Sequence, residues 1–200
     1  MTKLVERANS SRGRQRREEL IEAGVALLIE GGWAAVTTRA LAARSGANAG
    51  LIHYHFGGLP GLRLAIAERA GERALAPVVD ALLGASDARS AIATMRSTIS
   101  RVATDDQMVR LAVELVSGTR QDPALGVALR ESLREARERI AEWLGDLNPE
   151  WTPAQRGGAA VLVAALLDGL LLHRELDDEL PIDPALAVLG TLLGDESCGS

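Results

Sequence analysis

The residues best able to act on a partner lie between Thr37 and Phe56, in the stretch TTRALAARSGANAGLIHYHF. Thr37 and Thr38 stand at the start of a short helical pattern, where hydroxyls and free backbone amides together suit a phosphate. Arg39 and Arg44 add positive charge to that helix. Asn48, Ala49 and Gly50 open a second short helix. Asn can read adenine, Ala can touch a thymine methyl, and Gly allows close approach of the backbone. Asn48 suits a helix cap equally well, and both roles stay open. His53 and Tyr54 are further candidates for a DNA contact, whereas His55 and Phe56 read as packing residues. His53 and His55 are two positions apart and do not share a helix face, so no metal site is expected.

Other chemistry is not written in the chain. No Ser-His-Asp or Cys-His arrangement, phosphate-cradling glycine loop or metal-ligand spacing occurs, so neither an enzyme nor a cofactor is expected. Cys198 is the sole cysteine, which excludes a disulfide framework. The first twenty residues are basic and polar, unlike a secretory signal. The longest apolar stretch, 159–172, is interrupted by Asp168 and falls short of the ~20 residues of a membrane span. A cytoplasmic protein with no membrane partner is expected.

The elements that must hold these residues are helical. Hydrophobic residues make up 47% of the chain and aromatics 2%, so the core is built from Leu, Ala, Val and Ile. Ala and Leu are strong helix formers, and no alternating β pattern appears. The expected class is all-α, with about nine helices. The first runs from Arg14, with Leu20, Ile21, Gly24, Val25 and Leu28 on one face, and stops at Gly31 and Gly32. Two short helices follow, joined by a turn at Gly46 with Ala47 beneath it. Their inward residues, Leu41 with Ala42 and Leu51 with Ile52, have the spacing of a helix-turn-helix. Longer helices are expected from about Pro60 to Leu83 (kinked or split at Pro77), 88–102, from a Thr104–Gln107 capping pair, after Pro123, 153–176 and 184–193.

Charge is uneven along the chain. The net charge of −5 divides into +4 over residues 1–63 and −9 over the remainder. Six basic residues, Arg14 among them, lie between Lys3 and Arg17 against one acid, Glu6. One end can therefore approach a polyanion.

In this context the sequence resembles the TetR (tetracycline repressor) family of bacterial regulators. The motif positions are Gly31-Gly32, Val36-Thr37-Thr38, Ala42, Gly46 and His53-Tyr54-His55-Phe56. The resemblance implies a helix-turn-helix DNA-binding domain over 14–74 with its motif at 37–56. It also implies a regulatory, ligand-binding and dimerisation domain over 75–195, with 1–13 and 196–200 as flexible tails. Two positions depart from the pattern. The family tyrosine is His53, and the family lysine that contacts phosphate is Leu59. Tyr54 or His53 is expected to take over the tyrosine's contact, and Arg63 partly that of the lysine.

The partners implied are a double-stranded palindromic operator, a second copy of the chain, and an unidentified small-molecule effector that releases a repressor. The helix at 153–176 is apolar nearly all round, which calls for burial on two sides. Leu162, Val163, Leu166 and Leu170, with Leu186, Leu189 and Leu193, are its expected dimer residues. Met95, Met108, Leu111, Glu114, Leu115 and His173 are candidates for an effector pocket, with core packing as the other role open to the methionines. The alternative function is a helical DNA-binding or protein-interaction module without a ligand switch.

Overall fold

A computed structural model describes residues 2–102, 106–177 and 179–192, with side chains described from Ser11 onward except at 88, 106, 175 and 190–192. The described residues form nine helices and no strand: α1 (Thr2–Ala35), α2 (Thr38–Ser45), α3 (Ala49–Phe56), α4 (Leu59–Leu83), α5 (Ala88–Val102), α6 (Asp106–Gln121), α7 (Pro123–Leu147), α8 (Pro153–Leu176) and α9 (Ile182–Leu192). The all-α class expected from composition is what the chain adopts.

Two boundaries differ from expectation. Residues 2–13, expected to be a flexible arm, are helical and continuous with α1. They contain no proline and a single glycine, Gly13, so nothing in the backbone stops the helix. Pro77 does not split α4, which runs on for another turn and a half. A proline removes its own N–H and one ladder bond, and burial of Val79 and Leu82 just beyond it holds the helix together. The Thr104 half of the capping pair lies outside the described residues.

The chain packs as two compact units. One is formed by residues 1–72 with 110–130, the other by 73–109 with 131–200. Residues 110–130, which lie inside the segment 75–195, thus pack with the N-terminal unit. In the first unit the inward stripe of α1, Leu20, Ile21, Val25 and Leu28, is buried together with Leu41, Ile52, Leu62 and Ile66. Gly24 makes this possible, because a Cβ there would stand 2.1 Å from the Ile66 side chain. Leu111, Leu115 and Leu125 complete the core from α6 and α7. Arg69 of α4 pairs with Glu18 and Glu22 of α1 at 2.6 Å each.

The second unit has its own core of Val79, Leu82, Ile92, Met95, Ile99, Ile140, Leu144, Leu167 and Leu186. The Trp143 indole donates to the Ala85 carbonyl at 2.8 Å, and Arg96 pairs with Asp183 at 2.7 Å. Thr152 opens α8 with a full capping box, exchanging bonds with Gln155, and Pro153 occupies the first turn.

Candidate nucleic-acid interface

The helix-turn-helix is assembled by local hydrogen bonds. Thr37 is the N-cap of α2, its hydroxyl accepting from the Ala40 N–H at 3.2 Å. Thr38 is therefore the first helical residue, not the cap. Gly46 ends α2 in the left-handed region (φ 64°, ψ 15°), where a side chain is disfavoured. The Ser45 hydroxyl donates to the Leu41 carbonyl at 2.7 Å and accepts from the Ala47 N–H at 3.3 Å. Asn48 is the N-cap of α3, its Oδ1 accepting from the Leu51 N–H at 3.0 Å. Capping uses the amide oxygen and leaves the NH2 group to the outside. Leu41 and Ile52 turn inward and are buried, bracing α3 against α2.

With the apolar faces turned in, the candidate contact residues are left open. Arg14, Thr37, Arg39, Asn48, Ala49, Gly50, His53 and Tyr54 are exposed and Thr38 is half-buried, all within one unit. Tyr54 is 82% exposed. The middle of α1 meets the end of α3 where the Arg17 guanidinium lies over the Phe56 ring, 5.2 Å from its centre. Tyr54 and His55, and His55 and Phe56, touch edge to face. Packing roles for His55 and Phe56 fit these contacts, and both side chains are half-buried.

The arginines divide into two groups. Arg44 is held by both oxygens of Glu30 at 2.6 Å. Those hydrogen bonds pull the Glu30 carboxyl below its ordinary pKa and raise Arg44. Arg16 is occupied by Glu19 and the Ser45 carbonyl. Arg14 and Arg39 have no partner among the described residues, which leaves their charge for a phosphate. Arg63, expected to stand in for the missing lysine, points elsewhere. Its Nη2 donates to the carbonyls of Trp33 (3.2 Å) and Val36 (3.0 Å), beyond the last bonds of α1. Carbonyls at a helix end need outside donors, and the guanidinium is spent on that need. Sequence reading missed the Arg17–Phe56 contact, although basic and aromatic residues at these two positions were its visible signal.

The six effector candidates divide between the units. Met95 is buried in the core of the second unit, and Met108, half-buried, belongs to the same unit. Leu111 and Leu115 are buried in the first unit, where Glu114 is bonded to Trp33. His173 is exposed on α8.

Of the expected dimer residues, Leu162 is 72% exposed, and Val163, Leu166, Leu170 and Leu189 are half-buried. Leu186 is instead a core residue of its own unit, and Leu193 lies outside the described residues. Leu166, Leu170, Ala185, Leu186, Val188 and Leu189 line a shallow apolar groove between α8 and α9. Residues 153–174 are long and apolar enough to cross a membrane, by length and composition alone. Among the described residues no cluster of three metal-ligating side chains occurs.

Known proteins can be set beside this geometry. Residues 20–66 match the family of bacterial regulatory proteins of the tetR type, and residues 88–196 match the BetI-type transcriptional repressor C-terminal domain. No curated protein sequence matches the chain. Among solved structures, the transcriptional regulator SCO7518 from Streptomyces coelicolor A3(2) is 29% identical (TM-score 0.72, covering 89% of this chain and 98% of that one). The multidrug binding protein EbrR, solved with imidazole, is 26% identical (TM-score 0.64, covering 88% and 94%). It was also solved with proflavin. A TetR-family regulator from Mesorhizobium loti MAFF303099, 16% identical, shares the fold (TM-score 0.73, covering 90% and 98%). With more than half of its length matched by these family models, this chain belongs to the tetR family of bacterial regulatory proteins and is a DNA-binding transcriptional regulator, not an enzyme.

Proposed function

We propose that the protein is a cytoplasmic repressor that binds a palindromic operator as a homodimer and leaves it when a small molecule occupies the second unit. The observation that carries the DNA half is the open, unpaired state of Arg14 and Arg39 beside the exposed starts of α2 and α3. The repressor half rests on the BetI-type match over 88–196.

The twin chain has a surface to meet. Val161, Leu162, Leu172 and Leu176 of α8 are all more than half exposed, at spacings that form a stripe along one face. A contiguous exposed apolar stripe marks an interaction site, and two-fold pairing over it matches the two-fold symmetry of a palindrome.

An effector is supported by EbrR, which binds imidazole and proflavin on the same fold. In the second unit, the Thr98 hydroxyl is buried without a hydrogen-bond partner, one turn along α5 from Met95. A buried hydroxyl lacking a partner is unusual, and an effector's polar atom entering there would supply one.

Selection of bound duplexes from a random pool tests the reading. It should return inverted half-sites about 34 Å apart, or a multiple of that. Proflavin and other small cations then serve as probes for release of the selected duplex. A pool enriched in single, unrepeated sites would overturn the dimeric operator, and a duplex that no probe releases would count against the switch.

A further inference from the structure

We infer that Glu114 is a positioning residue for DNA recognition, acting through Trp33 on the turn that presents Thr37 and the two short helices behind it. The inference rests on the DNA-binding function concluded above.

The last turn of α1, beyond a kink at Gly31 and Gly32, and the link to α2 are short and tied at both ends. Gly31 and Gly32 leave helical geometry, and Gly32 takes φ 67°, ψ −170°, a region closed to L side chains. Trp33 follows, and only three residues separate it from the cap Thr37. The Trp33 N–H donates to Glu114 Oε2 at 3.1 Å, while its indole Nε1 donates to the Glu114 carbonyl at 2.8 Å. Trp33 is thus bound twice to one residue of α6, backbone to side chain and side chain to backbone. Its carbonyl is taken by Arg63 of α4.

The seat is shaped for this double tie. A Cβ at Gly118 would stand 2.3 Å from the Trp33 indole nitrogen, so only glycine leaves room for the ring. A Cβ at Gly32 would stand 2.7 Å from both carboxylate oxygens of Glu114. Trp33 is 3% exposed, although it sits beside an exposed turn.

These bonds fix the direction in which the backbone leaves α1. Ala34 and Ala35 carry no side-chain anchors, so the bonds at Trp33 and Val36 determine where Thr37 begins α2. Because α3 packs on α2, a rotation at Trp33 carries both the phosphate-facing and the base-facing ends with it. A hydrogen bond from a backbone N–H to a carboxylate is among the stronger ones, which suits a fixed pivot.

The test compares affinity for the duplex selected by the wild-type chain with affinity for an unrelated duplex of equal length, far below the melting temperature. Positioning acts on the ratio of the two affinities, whereas simple loss of stability lowers the melting temperature and leaves the ratio alone. Glu114→Ala should lower the ratio about tenfold or more, in line with one lost charge-assisted bond. Glu114→Gln keeps an acceptor oxygen for the Trp33 N–H and should restore it to within about threefold. Gly118→Ala, which favours the helix yet displaces the indole, should reproduce the loss without touching a charge. If wild type selects a duplex and both alanine variants keep its ratio, the inference is overturned alone. If wild type selects no duplex, DNA recognition itself falls and the inference falls with it.

Discussion

Asn48 and Leu51 are joined by a 3.0 Å hydrogen bond, side-chain oxygen to backbone N–H, which makes Asn48 the N-cap of α3. Capping and base reading can be separated there. Asn48→Ala should cost about 1 kcal/mol of stability through the lost cap, and binding as well. Asn48→Ser keeps a cap and removes the NH2 group. We expect the serine variant to melt like wild type and to lose preference at one base position, by roughly 1–3 kcal/mol. Unchanged preference in a selection experiment would move the readout to His53 or Tyr54.

Arg63 and Arg39 should respond differently to salt. Arg39→Ala removes a free exposed charge, so the log-log salt slope of DNA binding should shrink by about 0.9 for one lost phosphate contact. Arg63→Met leaves the Val36 carbonyl short of a donor and the Trp33 carbonyl with the Val36 N–H alone, and should cost about 1–3 kcal/mol of stability. Its salt slope should match wild type. A slope that falls for Arg63→Met would show a direct phosphate contact.

Arg69, between Glu18 and Glu22, ties α4 to α1 in the first unit. Its pKa is raised, chiefly by the hydrogen bonds to Glu18 and then to Glu22. As these pairs are partly exposed, Arg69→Met should cost no more than about 1 kcal/mol. The difference from wild type should narrow in 1 M salt, where the screening length is about 3 Å. Denaturant titrations at two ionic strengths check this.

Leu162 offers a clean test of pairing. At 72% exposed it supports little within its own chain. Leu162→Glu should therefore leave the helical spectrum intact while shifting sedimentation at micromolar concentration from dimer to monomer. A wild-type chain that sediments as a monomer would remove the premise.

Asp168 lies in the apolar stretch of α8, and desolvation lifts its carboxyl above its ordinary value, opposed by the charge of Arg137. A raised carboxyl pKa costs stability above that raised value, and the cost fades as pH falls through it towards the unfolded one. Asp168→Asn should thus stabilise the protein above that raised value and flatten the dependence of melting temperature on pH as pH falls towards the ordinary carboxylate range. A wild-type profile that already declines steadily over this range, with no difference in the variant, would count against it.

Local chemistry was readable in the chain. The apolar period of Leu20, Ile21, Val25 and Leu28, the cap at Asn48, the left-handed glycine at Gly46 and the proline opening α8 depend on neighbours within a turn or two. These mark helices and their ends whatever else the fold does, and the candidate contact residues follow because they flank those caps. The uses of long polar side chains are decided at a distance. Nothing near Glu114 in sequence announces its contact with Trp33, 81 positions away. Arg63 reads as a phosphate ligand until α4 brings it to the carbonyls at the end of α1. Leu186 and Leu162 look alike in sequence, yet one is sealed in the core and the other open. Periodicity shows that a helix has an apolar face but does not say which element covers it. A guanidinium or carboxylate takes whichever partner the packed helices bring within about 3 Å, and that distance exists only once the chain has folded.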